Sequence, residues 1–408
     1  AYPNWMLKQM KDPDLYQSEA GFYDLNLKVN HVIDEKNVIT FSGYLSDDNF
    51  EFASDTSYVW KTKAAILKWD HRFSNKFLMQ TQAVISDFQS NISNTQNNYD
   101  FAYQSGILNY QGKVDFSYEL SNTHKFDFGL SSLYYVFNNG EFLPGGENSV
   151  SEEIIIPQEK AIESAIYIND EFTISPRVSL VYGVRASNYM ALGGTYYEFN
   201  PNQPRSIASI SDTLNFAQGE VAKSYLGLEP RASFRWLVTP SSSLKVSYFR
   251  TKQYIHLISN TAAISPVNYW KSSGYNLMPS VADQYTLGFF KNWNDNLIEV
   301  SAEGYYKNIQ HVVDYKNAAT ILLNETLDAD LIQGNGEAYG LELLIRKNRG
   351  KLTGWVGYTY SRSLRKFDQS RFPEENINDG VYYPANYDKP HDLSVVMNYQ
   401  MSRRFSMN

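Results

Sequence analysis

The chain has 408 residues, with 36 Lys and Arg against 44 Asp and Glu, and no cysteine. Without cysteine there is no disulfide framework, thiolate nucleophile or zinc–cysteine site, and a net charge of −8 with scattered basic residues leaves no footprint for nucleic acid. Aromatic residues reach 15 %, with 32 tyrosines, a composition that suits a tyrosine-rich soluble β protein and a membrane interface equally well.

The opening AYPNWMLKQMKDPD lacks the basic-then-apolar order of a signal peptide. The other end, RRFSMN, stops where a strand begins, so the chain reads as a segment of something longer. No transmembrane helix is predicted: the longest apolar run is LYYVF at 133–137, against the ~20 residues a spanning helix needs. The mean hydropathy of −0.44 argues only against helices, because a barrel strand shows lipid one side chain in two.

Period-two alternation then recurs along the chain. Tyr23, Leu25, Leu27 and Val29 share a face opposite Asp24, Asn26, Lys28 and Asn30. SDDNFEFASD (46–55) reads as an acid-rich loop. Val114, Phe116 and Tyr118 oppose Lys113, Asp115, Ser117 and Glu119. In LEPRASFRW, the set Leu228, Pro230, Ala232, Phe234 and Trp236 opposes Glu229, Arg231, Ser233 and Arg235. LKVSYF then runs into QYIHLISNTAAISPVNYW (253–270), where the alternation stops after Leu257 and the chain becomes small, polar and tipped with aromatics. Beyond it, Ile298, Val300, Ala302, Gly304 and Tyr306 oppose Glu299, Ser301, Glu303, Tyr305 and Lys307, and DADLIQGNGE (328–337) reads as a second acid-rich loop. No helical stripe competes. The chain is predicted to be all-β, with 15 strands from Phe22 to Gln400 and a sixteenth starting at Phe405.

Connections are as informative as strands. Tight turns are predicted at Asp34–Asn37, Ser74–Lys76, Ser121–Lys125, Ser175–Arg177, Thr239–Ser243, Asn294–Asn296, Asn348–Gly350 and Ser402–Arg404. Long, irregular connections lie between them at 140–160, 191–223, 258–281, 316–336 and 364–389. In an up-and-down sheet, short turns gather at one end and long loops at the other, as periplasmic turns and extracellular loops do in an outer-membrane barrel. A β-propeller would repeat at a nearly fixed ~40–45 residues, whereas these turns are 40 to 64 residues apart with no recurring motif.

Several stretches, taken together and in order, resemble the TonB-dependent receptors, and more narrowly those of Bacteroidota. They are FYDLNLKVNHVIDEKNVITFSGYLSDD, LKWDHRFSNKF, VSLVYGVRAS, LGLEPRASFRW, RTKQYIHLISNTAAISPVNYWKSSGYNLMPSVADQYTLGFFKN, GNGEAYGLELLIRKNRGKLTGWVGYTYSRS and YPANYDKPHDLSVVMNYQ. The resemblance implies an antiparallel transmembrane β-barrel of the ~22-strand plugged receptor type, of which residues 1–408 are part, from the fourth strand to the start of the nineteenth. The N-terminal plug, the energy-coupling box and the remaining barrel strands fall outside it. It further implies an outer-membrane importer of a specific nutrient, coupled to the periplasmic TonB system and surrounded by outer-membrane lipid and lipopolysaccharide. The alternative is a receptor-like barrel serving as a structural or accessory subunit of a larger complex, with surface lipoprotein or barrel partners.

On this arrangement Tyr254, His256, Tyr269 and Trp270 lie at the extracellular end. They either line a ligand vestibule or pack the loop against its surroundings. Lys28, Lys113, Asp115, Glu229, Arg231, Arg235, Glu299, Glu303 and Arg346 face the lumen, where they pair with a plug and with one another or act as a selectivity filter. The acid-rich loops do not match calcium-loop spacing and read as solvated charge. No two of the six histidines are two to four residues apart, so no local metal pair arises. No G-x-S-x-G elbow occurs, His311 near Asp314 reads as a strand-end histidine, and GNGEAYGLE lacks the context of a phosphate loop. No catalytic residue, metal site or cofactor is predicted.

Overall fold

The computed structural model describes residues 2–53, 56–94, 100–145, 149, 152–258, 269–317, 319–368, 370–402 and 404–408. Their main sheet has 18 strands. Two of these, Ile154–Ile155 and Tyr383–Pro384, are short additions beside loop ends. The other sixteen form an up-and-down meander, each pairing antiparallel with the next. In chain order, β1 is Glu19–Asp34, β2 Asn37–Phe52, β3 Thr56–Ser74 and β4 Phe77–Asn94. β5 is Phe101–Glu119, β6 His124–Pro144, β7 Glu159–Ser175 and β8 Val178–Phe199. β9 is Ile210–Thr239, β10 Ser242–Gln253, β11 Ser280–Trp293 and β12 Ile298–Tyr315. β13 is Leu331–Lys347, β14 Leu352–Lys366, β15 His391–Gln400 and β16 Ser406–Met407. All eight predicted tight turns join consecutive strands, and every turn lies at the same end of the sheet.

Four details depart from the sequence reading. Two short helices, α1 (Tyr2–Leu7) and α2 (Pro13–Gln17), precede β1 at the loop end. Asp12 caps α2 by accepting from the Asp14 and Leu15 amides, a local signal too short to register as a helical stripe. SDDNFEFASD is not a loop through residue 52: Asp47 and Asp48 sit in β2, opposite Tyr23 and Phe22 of β1. The stretch 191–223 is mostly ladder, because β8 and β9 run on past the membrane to Phe199 and from Ile210. Its alternation is hidden by register breaks near Phe216–Lys223 and by Gly193, Gly194 and Gly219, which all hold positive φ. Each break moves the side chains to the other face. Residues 331–336 likewise belong to a strand, β13.

Which face meets lipid follows from the register. Trp236, Leu244, Phe289, Ala302 and Leu343 form one cross-strand row. Leu237, Ser243, Phe290, Ser301 and Leu344 form the adjacent row on the other face. The first face leaves Leu228 62 %, Ile166 65 % and Leu226 79 % exposed, far more apolar surface than water tolerates. On β4 that face reads Phe77, Met79, Thr81, Ala83 and Ile85, then turns polar at Asp87, Gln89 and Asn91. Those nine residues, 77–85, match the ~9–11 of a tilted spanning strand.

Aromatic residues bound the band. At the turn end, Phe73, Phe77, Phe116 and Phe128 stack in series, 4.8, 5.8 and 5.1 Å between successive centroids. At the loop end, Tyr248, Tyr285, Tyr306 and Tyr339 are direct cross-strand neighbours, with the Arg250–Asp283 ion pair (2.8 Å) just beyond them. Paired girdles of this kind mark the two membrane–water interfaces. The tightly buried clusters lie instead at the loop end of the lumen. One joins Ile258, Tyr269, Leu277, Val313, Leu327 and Leu331, and the other Ala161, Tyr189, Ala191 and Tyr254.

Candidate functional site

β10 leaves the tight turn after Thr239 and ends at the opposite rim, where the chain turns inward. The Tyr254 ring stacks on Tyr189 of β8, with centroids 4.8 Å apart and planes 4° from parallel. Its hydroxyl lies 2.7 Å from Ser187 Oγ, which donates to the Glu229 carboxylate at 2.8 Å. Ile255–Ile258 then pairs with Tyr269–Ser272 in a separate two-stranded ribbon. Residues 259–268, including Pro266, lie outside the described residues.

A buried charge cluster fastens this ribbon. Lys271 Nζ lies 2.5 Å from Glu159 at the start of β7 and 3.0 Å from Asp328 in the 316–330 connection. The second Glu159 oxygen accepts from the Ser272 hydroxyl at 2.7 Å, and Asp328 also accepts from Asn276 at 3.1 Å. Burial works against the Lys271 ammonium, but Asp328 and Glu159 outweigh it and hold its pKa well above the usual lysine range. Burial likewise works against the Asp328 carboxylate, and Lys271 with Asn276 pulls it below its usual value. Asp328 is therefore not the solvated loop charge expected from DADLIQGNGE. It is 9 % exposed and is one of three groups joining three segments of chain.

All four residues predicted at the mouth gather here. Tyr254, His256 and Tyr269 are 3, 4 and 3 % exposed, whereas Trp270 is 37 % exposed. Trp270 and Tyr269 share a cavity of about 440 Å³ with Trp60 of β3, Phe88 of β4, Tyr103 of β5 and Asp48 of β2. Every wall residue in that set sits on the lumen face, towards the loop end of its strand.

His256 sets a pH limit on this packing. Its Nε2 lies 3.0 Å from Ser273 Oγ, and burial pushes its pKa down to about 4. An unfolded or undocked histidine takes up a proton near pH ~6.5, so the docked state binds fewer protons than the undocked one below that pH. Docking is thus at full strength above ~6.5, and weakens by about 1.4 kcal/mol per pH unit between there and about 4. Trp270 fluorescence and protease cleavage within 254–280 should both report this loosening. A His256→Gln variant should show a flat profile over the same range. A wild-type profile that stays flat to pH 4.5 rules the mechanism out.

The sequence matches the family model described as "TonB dependent receptor-like, beta-barrel" over residues 10–404. The chain belongs to this family. No curated protein matches it in sequence. Among solved structures, this receptor barrel is similar to the copper transporter OprC, with a TM-score of 0.65 and 11 % identity over 95 % of this chain and 57 % of that one. It is also similar to the ferripyoverdine receptor of the outer membrane of Pseudomonas aeruginosa (TM-score 0.64, 11 % identity, 95 % and 53 % covered). The ferric citrate transporter FecA matches with a TM-score of 0.63 and 12 % identity, over 94 % of this chain and 56 % of its own. At such identities the likeness is one of fold: an outer-membrane β-barrel of the plugged-receptor type. The chain spans little more than half the length of these structures.

Inside the receptor barrel, several lumen charges pair along the wall. Lys113 lies 2.8 Å from Asp115, which also accepts from the Tyr167 hydroxyl at 2.5 Å. Glu229, 5 % exposed, lies 3.5 Å from Arg185 and connects through Ser187 to Tyr254. Glu299 accepts from Asn348 at 2.7 Å and stands opposite Arg346 in register. Glu303 stands opposite Glu342. Arg231 stands opposite Gly183 and Phe249, and Arg235 opposite Ser179 and Lys245. Lys28 stands opposite Ser42. His311 occupies a bulge in β12 with φ of 57° and lies 3.1 Å from the Pro279 carbonyl, while Asp314 is held by Arg365 and the Tyr383 hydroxyl. The two do not act together.

Lys271, Glu159, Trp60 and Asn139 were not singled out by sequence reasoning. Lys271 follows a double aromatic in YWKSS, and Glu159 opens a strand. Neither carries a local mark, because their partners are 112 and 57 residues away along the chain for Lys271 alone.

Proposed function

We propose that the receptor barrel takes up a specific nutrient at its extracellular mouth, and that the whole protein admits it across the outer membrane when TonB acts from the periplasm. The observation that carries this reading is the inward loop. Its ribbon is fastened to the wall by Lys271, and it leaves Trp270 facing a cavity it shares with five wall strands. A pocket of about 440 Å³ falls within the ~300–1,000 Å³ of small-ligand sites.

On this reading residues 1–408 are one part of a larger barrel, whose further strands and plug supply the gate. The protein is of the Bacteroidota receptor type, in keeping with the ordered stretches that first suggested the family. A surface lipoprotein is a fitting partner for the long loops. Lipopolysaccharide headgroups meet the wall just beyond the tyrosine row, where the Arg250–Asp283 pair faces outward. The solved neighbours are named for copper, ferric citrate and ferripyoverdine, so the fold accommodates ligands of different chemistry.

Cells lacking the full-length protein should lose growth on one nutrient within a panel, and a variant unable to couple to TonB should lose it equally. Undiminished uptake by the uncoupled variant defeats the importer reading.

A further inference from the structure

The cavity beneath the inward loop narrows the chemistry of its guest. Five aromatic side chains on four segments line it: Trp60, Phe88, Tyr103, Tyr269 and Trp270. Among the described residues no two of these rings stack on each other; Trp60 stacks on Tyr58, 6.4 Å between centroids, Tyr103 and Tyr269 are buried, and Trp270 is the exposed ring of the ribbon. Asn109, Asn138 and Asn139 stand between them. Asn139 is 4 % exposed, and its side-chain nitrogen has no hydrogen-bond partner among the described residues. Asp48 lines the same space and makes no ion pair or side-chain hydrogen bond among them, and no Lys or Arg lines it.

Those groups ask for opposite things. A buried amide without a partner costs about 1–3 kcal/mol until something accepts from it, whereas the Asp48 carboxylate needs a donor. An anionic chelate brings acceptors, but it meets a carboxylate and no cation. A cationic guest satisfies Asp48 and leaves the Asn139 amide stranded. A hydroxyl both donates and accepts, and so serves either end of the amide as well as the carboxylate. The exposed indole of Trp270 and the half-buried one of Trp60 then suit the flat, weakly polar C–H faces of sugar rings.

We infer that this cavity binds a neutral oligosaccharide, with sugar rings on Trp60 and Trp270 and hydroxyls between Asp48 and Asn139. The inference rests on the receptor reading above for its location. Its chemistry is argued from the lining alone.

The test is calorimetric titration of the full-length protein in detergent with hexasaccharides that differ in charge. Maltohexaose, cellohexaose, mannohexaose and xylohexaose are the neutral probes, hexagalacturonate the anionic one and the glucosamine hexamer the cationic one. At least one neutral probe should bind with a Kd below about 1 mM, and both charged probes about tenfold more weakly. Trp60→Ala and Trp270→Ala should each weaken that binding about tenfold, with the barrel still folded by its heat-dependent gel mobility. Tighter binding of a charged probe, no binding by any neutral one, or full affinity in both tryptophan variants overturns the inference. Because binding is read on purified protein, a saccharide that binds but is not taken up by cells removes only the importer. Uptake of a different nutrient without saccharide binding removes only the ligand class.

Discussion

Leu343→Arg is expected to keep the protein out of the outer membrane, while Leu344→Arg, one residue further on, is expected to be tolerated. The two leucines share a strand, a composition and similar exposure, 40 and 36 %. They differ in the side of the wall they face. Leu343 lies in the row with Ala302 and Tyr358, midway along a band that begins near Lys347 and ends at Tyr339. An arginine there must shed its hydration into hydrocarbon, which costs about 2–4 kcal/mol at the bilayer midplane. Leu344 lies in the row with Ser301 and Gly357, on the face that carries Glu299, Glu303, Glu342 and Arg346. An arginine there keeps its water and finds carboxylates nearby. The measurement is the amount of heat-modifiable barrel in the outer-membrane fraction. Equal loss from both variants, or loss from Leu344→Arg alone, would mean that lipid and lumen have been assigned to the wrong faces.

Lys271→Met should release the inward loop and leave the barrel standing. The ammonium neutralises two carboxylates on separate segments, so its removal leaves Glu159 and Asp328 buried near each other without a cation. Breaking a buried pair by deleting one partner costs about 3–5 kcal/mol, much of it the stranded charge and not the lost attraction. The triple variant Lys271→Met, Glu159→Gln, Asp328→Asn should therefore recover part of the loss, since it removes the stranded charges as well. Limited proteolysis within 254–280, compared with cleavage of the strands, separates loop release from unfolding. Wild-type resistance in the single variant, or a triple variant weaker than the single, would show that the cluster does not hold the loop. Acid acts differently: Asp328 is held below its ordinary range, so loosening between pH ~6.5 and about 4 belongs to His256 and should persist in an Asp328→Asn background.

The inward loop also explains why the mouth was only half legible in sequence. QYIHLISNTAAISPVNYW announces by its broken alternation that a strand ends and an aromatic segment follows. Whether Tyr254 meets a ligand or a neighbour depends on Tyr189 and Ser187, more than sixty residues earlier. The structure buries Tyr254, His256 and Tyr269 against the wall and leaves Trp270 open. Trp60 and Asn139 join the site only because β3 and β6 end at the same rim. On its own strand Trp60 is an unremarkable member of an alternating pattern, and Asn139 sits where the β5–β6 register breaks, beside Gly140 with φ of 139°.

What the amino-acid order determined unaided is local: a period of two puts lipid and lumen on opposite faces, and turn residues with short spacing gather one set of ends together. That decided strands and tight turns, and it put Glu229, Arg231 and Arg235 on one face of β9. It went astray where glycines and bulges shift the period, as at Gly193, Gly194 and Gly219, because a slip of one residue erases the signal without ending the ladder. Only the tertiary structure could place Lys271 between Glu159 and Asp328 and close a cavity over Trp60. Those contacts join segments far apart along the chain, and a pairing between such distant residues leaves no periodic trace in either one.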